Sequence, residues 1–472
     1  MNAPELPAVR DDRRQDVRHA RGTTRMEQGT RAIAFPALRR AITPPVDASG
    51  DGVSSTLNHS KDDDSAAIRT RLLHALSIVG VPLTIYLLSR VASTLILLEA
   101  ARSQIALKPG DAVWVTSPLS ASPSLLEVST NWDGQWYWHI VLFGYPDSLP
   151  APDALIQMSP LGFFPGFPTT VRILMDLTGL SFPLTAVLLS TIAGAAAVVV
   201  IHRLLLRSVS PFVAGINVAL MCVWPSAAVL QVAYTESLAL LLIACCLWCL
   251  ATRRYLTLAV LAVVLGLIRP LTVPLAIAVL FHAGARWRDV ADVFPTRDRT
   301  RVLCSLIGCG LGALSWPIVA AGLTGDPFAY FHAIGAWGTA DDRAGGWFGN
   351  LWREGRLILL PIVLVLLVGL VWSLRPRPGG RTWPLEARAW AGAYVVYVLL
   401  TTVPAIGIAR YLLLMIVPFW PFPDDSTPES RVDRIARWIA AATLVSLALA
   451  AQVWWVGNVY TFDGRPDLQY FP

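Results

Sequence analysis

The chain has 472 residues, of which 54% are hydrophobic and only 15% are charged, and its mean hydropathy is +0.54. A soluble domain carries about 25% charged residues, so this composition excludes an ordinary globular enzyme and indicates an integral membrane protein. The formal net charge of +6 comes from arginines scattered over short loops, and we therefore expect no nucleic-acid partner.

The N-terminal segment 1–70 is polar and mixed in charge, and we expect it to be a disordered cytoplasmic tail. The apolar run that begins at Leu72 is too long for a cleaved signal peptide, so it is predicted to be an uncleaved anchor. Because a membrane helix needs about 20 apolar residues, fewer where a neighbour shields it, the sequence predicts an all-α polytopic membrane domain over 71–460. The predicted spans are 72–99, 182–206, 211–230, 236–251, 255–268, 271–283, 302–322, 357–374, 389–407, 409–421 and 434–456.

The distribution of arginine sets the expected orientation, because Lys and Arg concentrate in cytoplasmic loops. Dividing 255–283 at Arg269-Pro270, and 389–421 at Arg410, places every Arg-rich connection on one side. The result is about eleven spans, with the N-terminus cytoplasmic and the C-terminal tail 461–472 extracytoplasmic. Two long external loops follow, at about 100–181 and 323–356, and loops of this length usually carry function.

The densest chemical signal lies in the first of these loops, where Asp133 stands among aromatic residues. Trp132, Trp136 and Tyr137 are candidate sugar or acceptor contacts, since aromatic faces stack on sugar C–H surfaces, and Asp133 is the candidate general base. The alternative is a belt of interfacial aromatic residues with an incidental acid. The broken segment 159–168, rich in Pro and Gly, predicts a re-entrant or interfacial element that lines a groove for a lipid chain, or a plug without a ligand.

Three more charged residues are placed by the predicted topology at the same external boundary. Arg269 and Arg410 each interrupt an apolar run, and the planar guanidinium suits a phosphate; the alternative is a snorkelling anchor. Glu236 begins the 236–251 run beside Tyr234, and both are candidate sugar or acceptor contacts, although a Glu at a helix N-terminus is ordinarily a favourable cap.

The second external loop offers His332 as a further sugar, acceptor or phosphate contact, although a single His is more often structural. Asp341-Asp342 suggests a metal only weakly, and all six cysteines fall inside apolar runs, which favours a packing role. We expect neither a metal nor a cofactor. A Gly-rich nucleotide loop and a nucleophile elbow are both missing from the sequence, so a nucleotide-sugar donor gains no support.

Taken in order, these pieces resemble the PIG-V-like mannosyltransferases, which are related to the enzyme adding the second mannose to GPI anchors (GPI mannosyltransferase II). That family belongs to the GT-C class of multispanning glycosyltransferases. The resemblance covers most of the chain from 72 to about 456. The matching pieces are WDGQWYWHIVLFGYP at 132–146, PLGFFPGFP at 160–168, YTESLALLL at 234–242, LGLIRP at 265–270, GDPFAYFHAIGAWG at 325–338 and ARYLLLMIVPFWPF at 409–422.

The resemblance implies a GT-C-like fold and an inverting transfer of a sugar, with mannose expected, from a polyprenyl-phosphate donor. Transfer would occur on the extracytoplasmic face of a bacterial plasma membrane, to a glycan, glycolipid or protein acceptor. Asp133 matches the acidic residue of the family's first external loop, the base. Arg410 is the first candidate to hold the donor phosphate and Arg269 the second.

The rival interpretation is a polytopic transporter or a flippase for lipid-linked sugars. Such a protein would use charges along a pathway reaching both faces, whereas the candidate residues here gather at one face and no charged position is expected at mid-membrane. A third interpretation is a non-catalytic subunit that holds a partner protein.

Overall fold

The computed structural model describes residues 76–109, 115–151, 158–336, 346–353, 360–376, 380–402, 404, 407–424 and 430–463. The predicted tail 1–70, most of the tail 461–472 and Asp341-Asp342 lie outside these residues. In the described residues, the regular structure is helical, with two isolated β-bridges and no strand.

The helices are numbered here in chain order. They are α1 (Val81–Ala101), α2 (Leu125–Val128), α3 (Asp133–Phe143), α4 (Gly166–Thr178), α5 (Phe182–Leu205), α6 (Pro211–Cys222), α7 (Glu236–Ala251), α8 (Tyr255–Ile268), α9 (Thr272–Arg288), α10 (Thr296–Thr324), α11 (Ala329–Gly335), α12 (Gly346–Arg353), α13 (Leu360–Leu374), α14 (Leu385–Thr401), α15 (Ile408–Leu412) and α16 (Arg431–Trp455). Short π turns precede α1 (Leu76–Gly80) and follow α16 (Val456–Tyr460), and 3₁₀ turns lie at Pro160–Gly162, Ala227–Leu230 and Leu413–Met415.

Within the described residues, four helices are long and apolar enough to cross a membrane: Ile78–Ala101, Phe182–Leu205, Thr296–Thr324 and Arg431–Tyr460. Shorter apolar helices are Pro211–Cys222, Glu236–Ala251, Tyr255–Ile268 and Val363–Leu374. These lengths are compatible with a membrane protein, since an α-helix rises about 1.5 Å per residue and the hydrocarbon core is about 30 Å thick. The predicted loop 100–181 is not structureless, because α2, α3 and α4 fall within it.

Glycine allows α8 and α10 to pack with their backbones in contact. A Cβ on Gly312 would lie 2.6 Å from the Ala262 carbonyl oxygen, and one on Gly308 would lie 2.5 Å from that of Ala259. On the facing helix, a Cβ on Gly266 would lie 2.2 Å from the Gly312 carbonyl oxygen. Small residues spaced four apart are the usual means of close helix approach in lipid, where the hydrophobic effect does not drive helices together.

Two predicted spans are only partly helical. The run 211–230 is helical to Cys222, and the run 409–421 ends its helical part at Met415. Both non-helical stretches are largely buried in protein: Ser226 is fully covered in the first, and Ile416 and Val417 are fully covered in the second. Non-helical backbone at membrane depth is tolerated only in such a setting, because lipid cannot satisfy its polar groups.

Side chains of neighbouring helices supply the hydrogen bonds that these stretches need. In α6, the Asn217 amide donates to the Ile416 carbonyl at 2.9 Å and accepts from the Phe419 N–H at 2.8 Å. In α14, the Trp390 indole donates to the Leu414 carbonyl at 2.8 Å. Hydropathy alone counts apolar residues and does not detect this arrangement, which is why 409–421 was marked as a short span although its helical part ends at Met415.

The expectation of no charge at mid-membrane was also wrong, because Arg90 lies in the middle of α1 and is buried. Its guanidinium donates to the Cys222 carbonyl at 2.7 Å and the Ala227 carbonyl at 2.6 Å, and stacks over Tyr86. The last carbonyls of a helix have no partner within it and carry partial negative charge. Arg90 therefore satisfies the end of α6, and both of its acceptors are part of the fold.

The polar connections meet at two ends of the helix bundle. One end, which we call the basic end, contains the α5–α6, α7–α8 and α9–α10 connections. The start of α14 and the segment before α16 also lie there. Arg253 pairs with Asp292 at 2.9 Å, and His282 pairs with Glu386 at 2.9 Å. The other end holds the last residues of α1 and α16, joined by the Ile105 N–H donating to the Phe462 carbonyl at 2.8 Å.

Candidate active site

Asp133 is the first residue of α3. Before it, α2 is fixed by a reciprocal capping box between Ser124 and Glu127, and Trp132 has a positive φ of 55° that turns the chain into α3. The Ala233 N–H donates to the Ser129 carbonyl at 2.9 Å, and this bond holds the segment before α7 against the start of α3. The local fold thereby brings Asp133 beside the first turn of α7.

Glu236, the first residue of α7, links both predicted arginines. Its Oε1 accepts from Arg269 Nη1 at 2.5 Å and from Arg410 Nε. Arg410 also donates from Nη2 to Asp133 Oδ2. Four side chains from distant parts of the sequence thus form one chain of ion pairs, Asp133–Arg410–Glu236–Arg269, which we call the charge cluster.

The four members differ in their access to solvent. The exposed fraction of the side chain is 0% for Glu236, 5% for Arg410, 14% for Arg269 and 20% for Asp133. Burial of this kind removes charges from water, and it is tolerated only when each charge is paired and hydrogen-bonded. Glu236 is therefore the closed, inner side of the charge cluster, and Asp133 and Arg269 form its open side.

Arg269 follows α8 directly, in an extended conformation that ends the helix. Its Nη1 donates to Glu236 and also to Thr235 Oγ1 at 3.0 Å. No part of the chain that the structure describes accepts a hydrogen bond from its Nε or Nη2. The Nε–Nη2 edge of the Arg269 guanidinium is therefore available to an anion. Two parallel N–H groups of this kind can bind a phosphate in a bidentate manner.

Tyrosine rings surround the arginines. The Arg410 guanidinium lies over the Tyr234 ring at 4.4 Å, and that of Arg269 lies over Tyr411 at 5.6 Å. Two polar atoms here, Glu236 Oε2 and Tyr234 Oη, are buried without a hydrogen-bond partner among the described residues. Each of these atoms can form a further hydrogen bond with a water or a ligand group.

The aromatic residues expected to contact sugar are buried in packing. Trp136 stacks on Phe163 with 5.6 Å between ring centroids, and Tyr137 meets the same ring edge-on at 5.3 Å. Trp132 donates to the Tyr460 carbonyl at 2.9 Å. Together with Tyr234 and Glu236, these side chains present little or no surface, so a sugar-contact role for them stays a prediction.

His332 lies apart from the charge cluster, in α11. Its exposed ring pairs through Nδ1 with Asp326 Oδ2 at 2.7 Å. The Phe328 N–H and the His332 ring both donate to the Asp326 carboxylate, and these bonds hold its pKa below the ordinary value. This arrangement stabilises the turn into α11, so His332 has the structural role that is usual for a single His.

Sequence reasoning missed the contributions of Thr235 and Tyr411. Thr235 is adjacent to Glu236, and Tyr411 is adjacent to Arg410. The signal in the sequence was a polar or aromatic residue next to an ionisable one at the end of an apolar run. Sequence reasoning also did not foresee that Glu236 joins both arginines. In the described part of the chain, no three His, Cys, Asp or Glu side chains are grouped so as to hold a metal ion.

Comparison with known protein families finds no match for this chain, and comparison with curated proteins finds no similar sequence. The resemblance to the PIG-V-like family therefore stays a prediction from the motifs.

Proposed function

We propose that this protein is a membrane-embedded glycosyltransferase that moves a sugar, with mannose expected, from a polyprenyl-phosphate donor to an extracytoplasmic acceptor. One observation carries the proposal: the ion pairs that join Asp133 to Arg410, and through Glu236 to Arg269, in a single partly open cluster. A carboxylate next to two guanidiniums supplies the groups that an inverting transfer from a phosphate leaving group can use, namely a base and cations that stabilise the leaving phosphate.

The reaction follows from the charges. The acceptor hydroxyl attacks C1 of the sugar from the face opposite the phosphate, and its proton passes to Asp133. The C1–O bond to phosphate breaks, the electron pair stays on the phosphate oxygen, and the phosphodiester anion becomes a monoester dianion. Asp133 loses a negative charge as the phosphate gains one. The two arginines therefore stabilise charge where it develops in the transition state.

The two ends of the bundle support the proposed topology. The connections at the basic end carry most of the described arginines, and the positive-inside rule assigns that end to the cytoplasm. The charge cluster, with the last residues of α1 and α16, would then face the outside. We propose about eleven crossings in a bacterial plasma membrane, with the stretch 408–424 crossing largely without helix.

The lipid chain of the donor would lie along 160–180. Within that range, α4 exposes Ile173 and Leu177, which are 53% and 76% accessible. Gly166 begins α4 against the end of α8, where a Cβ would lie 2.8 Å from the Leu267 carbonyl oxygen. This close approach places α4 next to Arg269, so a chain lying on α4 would end near the phosphate-binding residues.

Purified protein incubated with radiolabelled polyprenyl-phosphate mannose and candidate acceptors tests the proposal. Transfer of label to an acceptor supports a glycosyltransferase. Movement of the donor across a vesicle membrane without transfer would point to a flippase. If neither transfer nor movement occurs, the result would point to a scaffold. Asp133→Asn should lower transfer by at least about 10³-fold, as expected when a general base and its charge are removed. Asp147→Asn, an exposed carboxylate in the same segment, is the matched control and should be unaffected. Substantial transfer by Asp133→Asn would remove Asp133 from the role of base.

A further inference from the structure

Arg410, which would hold the donor phosphate, is already bound to Asp133, which would act as the base. Arg410 donates from Nη2 to Asp133 and from Nε to Glu236. With two carboxylates and two guanidiniums, the charge cluster has no net charge before any donor arrives. A donor phosphate brings an additional anion, and it must take hydrogen bonds that a carboxylate now receives.

Burial decides which carboxylate gives way. Glu236 is fully covered and is held by both arginines, so its displacement would leave a charge unpaired in the interior, which is costly. Asp133 is bound by one arginine and is 20% exposed, so water can solvate it when it leaves. Asp133 is therefore the displaceable partner of Arg410.

We infer that the donor phosphate displaces Asp133 from Arg410, so that Asp133 is masked as a base until the donor is bound. This inference rests on the proposed function. The phosphate first meets the open edge of Arg269, where Nε and Nη2 have no acceptor among the described residues, and then takes Arg410 Nη2 from the carboxylate. The released Asp133 turns to the acceptor hydroxyl, so donor binding precedes productive acceptor binding.

The displacement predicts an unusual effect of removing the base. Asp133→Asn takes away the competing anion but keeps the side-chain shape and an acceptor oxygen for Arg410. A hydrogen bond from Arg to a neutral group is about half as strong as one to a carboxylate. The variant should therefore bind a polyprenyl phosphate more tightly than the wild type, on the order of tenfold. A carboxylate that stayed on Arg410 and only repelled the phosphate would give the same gain in Asp133→Asn and Asp133→Ala, whereas displacement predicts a larger gain in Asp133→Ala, which leaves no hydrogen bond to break. If Asp133 neither gives way to the phosphate nor repels it, its neutralisation leaves the affinity unchanged or weakens it.

Isothermal titration calorimetry of the full chain in detergent micelles, with farnesyl phosphate as the probe and farnesol as the probe without phosphate, measures this effect. We expect wild type and Asp147→Asn to bind farnesyl phosphate equally and Asp133→Asn to bind it about tenfold more tightly, with farnesol bound alike by all three. Asp133→Ala, which removes the contact altogether, should bind more tightly than Asp133→Asn. Equal or weaker binding of farnesyl phosphate by both Asp133 variants would overturn the displacement.

The transfer assay with wild-type protein separates this inference from the function it rests on. Transfer by the wild type combined with unchanged affinity in the Asp133 variants would refute the displacement alone. Tightened binding in those variants, with no transfer by the wild type to any acceptor, would refute the glycosyltransferase and leave a phosphate site whose occupant competes with Asp133.

Discussion

Neutralising Glu236 is the perturbation that tests the charge cluster most directly. Glu236→Gln keeps the side-chain volume and one acceptor oxygen, yet leaves Arg269 and Arg410 with a single carboxylate, Asp133, between them. Both arginines are largely buried, and breaking a buried pair by removing one partner costs about 3–5 kcal/mol, because it leaves an uncompensated charge. We expect the free energy of unfolding to fall by about that amount.

Equilibrium unfolding in mixed micelles of dodecyl maltoside and SDS, followed by far-UV circular dichroism, measures the change. Glu99→Gln is the matched control: Glu99 pairs with Arg102, but the two side chains are 72% and 76% exposed, and such a pair contributes less than about 1 kcal/mol. If Glu236→Gln costs no more than Glu99→Gln, the charge cluster does not stabilise the fold and the argument from burial fails.

A second substitution identifies the cause of the loss. Adding Arg269→Gln to Glu236→Gln restores charge balance, because Asp133 and Arg410 then remain as one pair. If the cost of Glu236→Gln is electrostatic, the double variant should recover part of the stability, with a coupling energy between the two sites of about 1–3 kcal/mol. Strictly additive losses would assign the cost to packing instead.

The remaining predictions concern the fold around the site. Asn217→Leu should lower the free energy of unfolding by about 2–4 kcal/mol, since it removes the side-chain partner of three buried backbone groups, the Ile416 carbonyl and the N–H groups of Phe419 and Trp420. A loss below about 0.5 kcal/mol in the same micelle titration would contradict this role. Gly312→Leu should prevent α8 and α10 from packing and abolish folded protein in size-exclusion chromatography, whereas Gly310→Leu, where a Cβ meets nothing within 4 Å, should be tolerated; equal yields of the two would refute the close contact. Hydrogen bonds to the ionised carboxylate lower the pKa of Asp326 in the folded protein. Ionised Asp326 should therefore stabilise the turn into α11 fully above the pKa of the unfolded chain, about 3.9, and this stabilisation should be lost as the pH falls through the lower pKa of the folded state. Amide hydrogen exchange at 326–335, compared between wild type and Asp326→Asn at each pH, measures this, and equal protection of the two proteins at neutral pH would contradict it.

Hydrophobic runs were a reliable guide to where helices lie, because a helix that faces lipid must be apolar over its whole length. Predicted spans such as 182–206, 236–251 and 255–268 agree with α5, α7 and α8 to within a residue. The same criterion failed at 409–421, since a buried stretch can be equally apolar without being helical when side chains such as Asn217 satisfy its backbone. Composition does not distinguish these cases, because the distinction depends on tertiary partners.

The candidate site was predictable in its members but only partly in its connections. Asp133 stood out as a carboxylate among aromatic residues of the first external loop, and Arg269, Arg410 and Glu236 as ionisable residues that interrupt or begin apolar runs. The structure brings these four together. Which carboxylate pairs with which arginine depends on side-chain reach and burial, which one sequence does not encode locally. The same limit explains why Arg90 was overlooked, since its acceptors are carbonyls more than a hundred residues away.

The largely buried stretch 413–420 has a consequence for how the chain is assembled during synthesis. Lipid offers no hydrogen-bond partners to peptide groups, and two carbonyls of this stretch accept instead from Asn217 of α6 and Trp390 of α14. We therefore expect this stretch to reach its final position only after α6 and α14 have been inserted. A variant in which α6 or α14 fails to insert would thus leave the carbonyls of Ile416 or Leu414 without their side-chain partners, although the segment itself is synthesised in full.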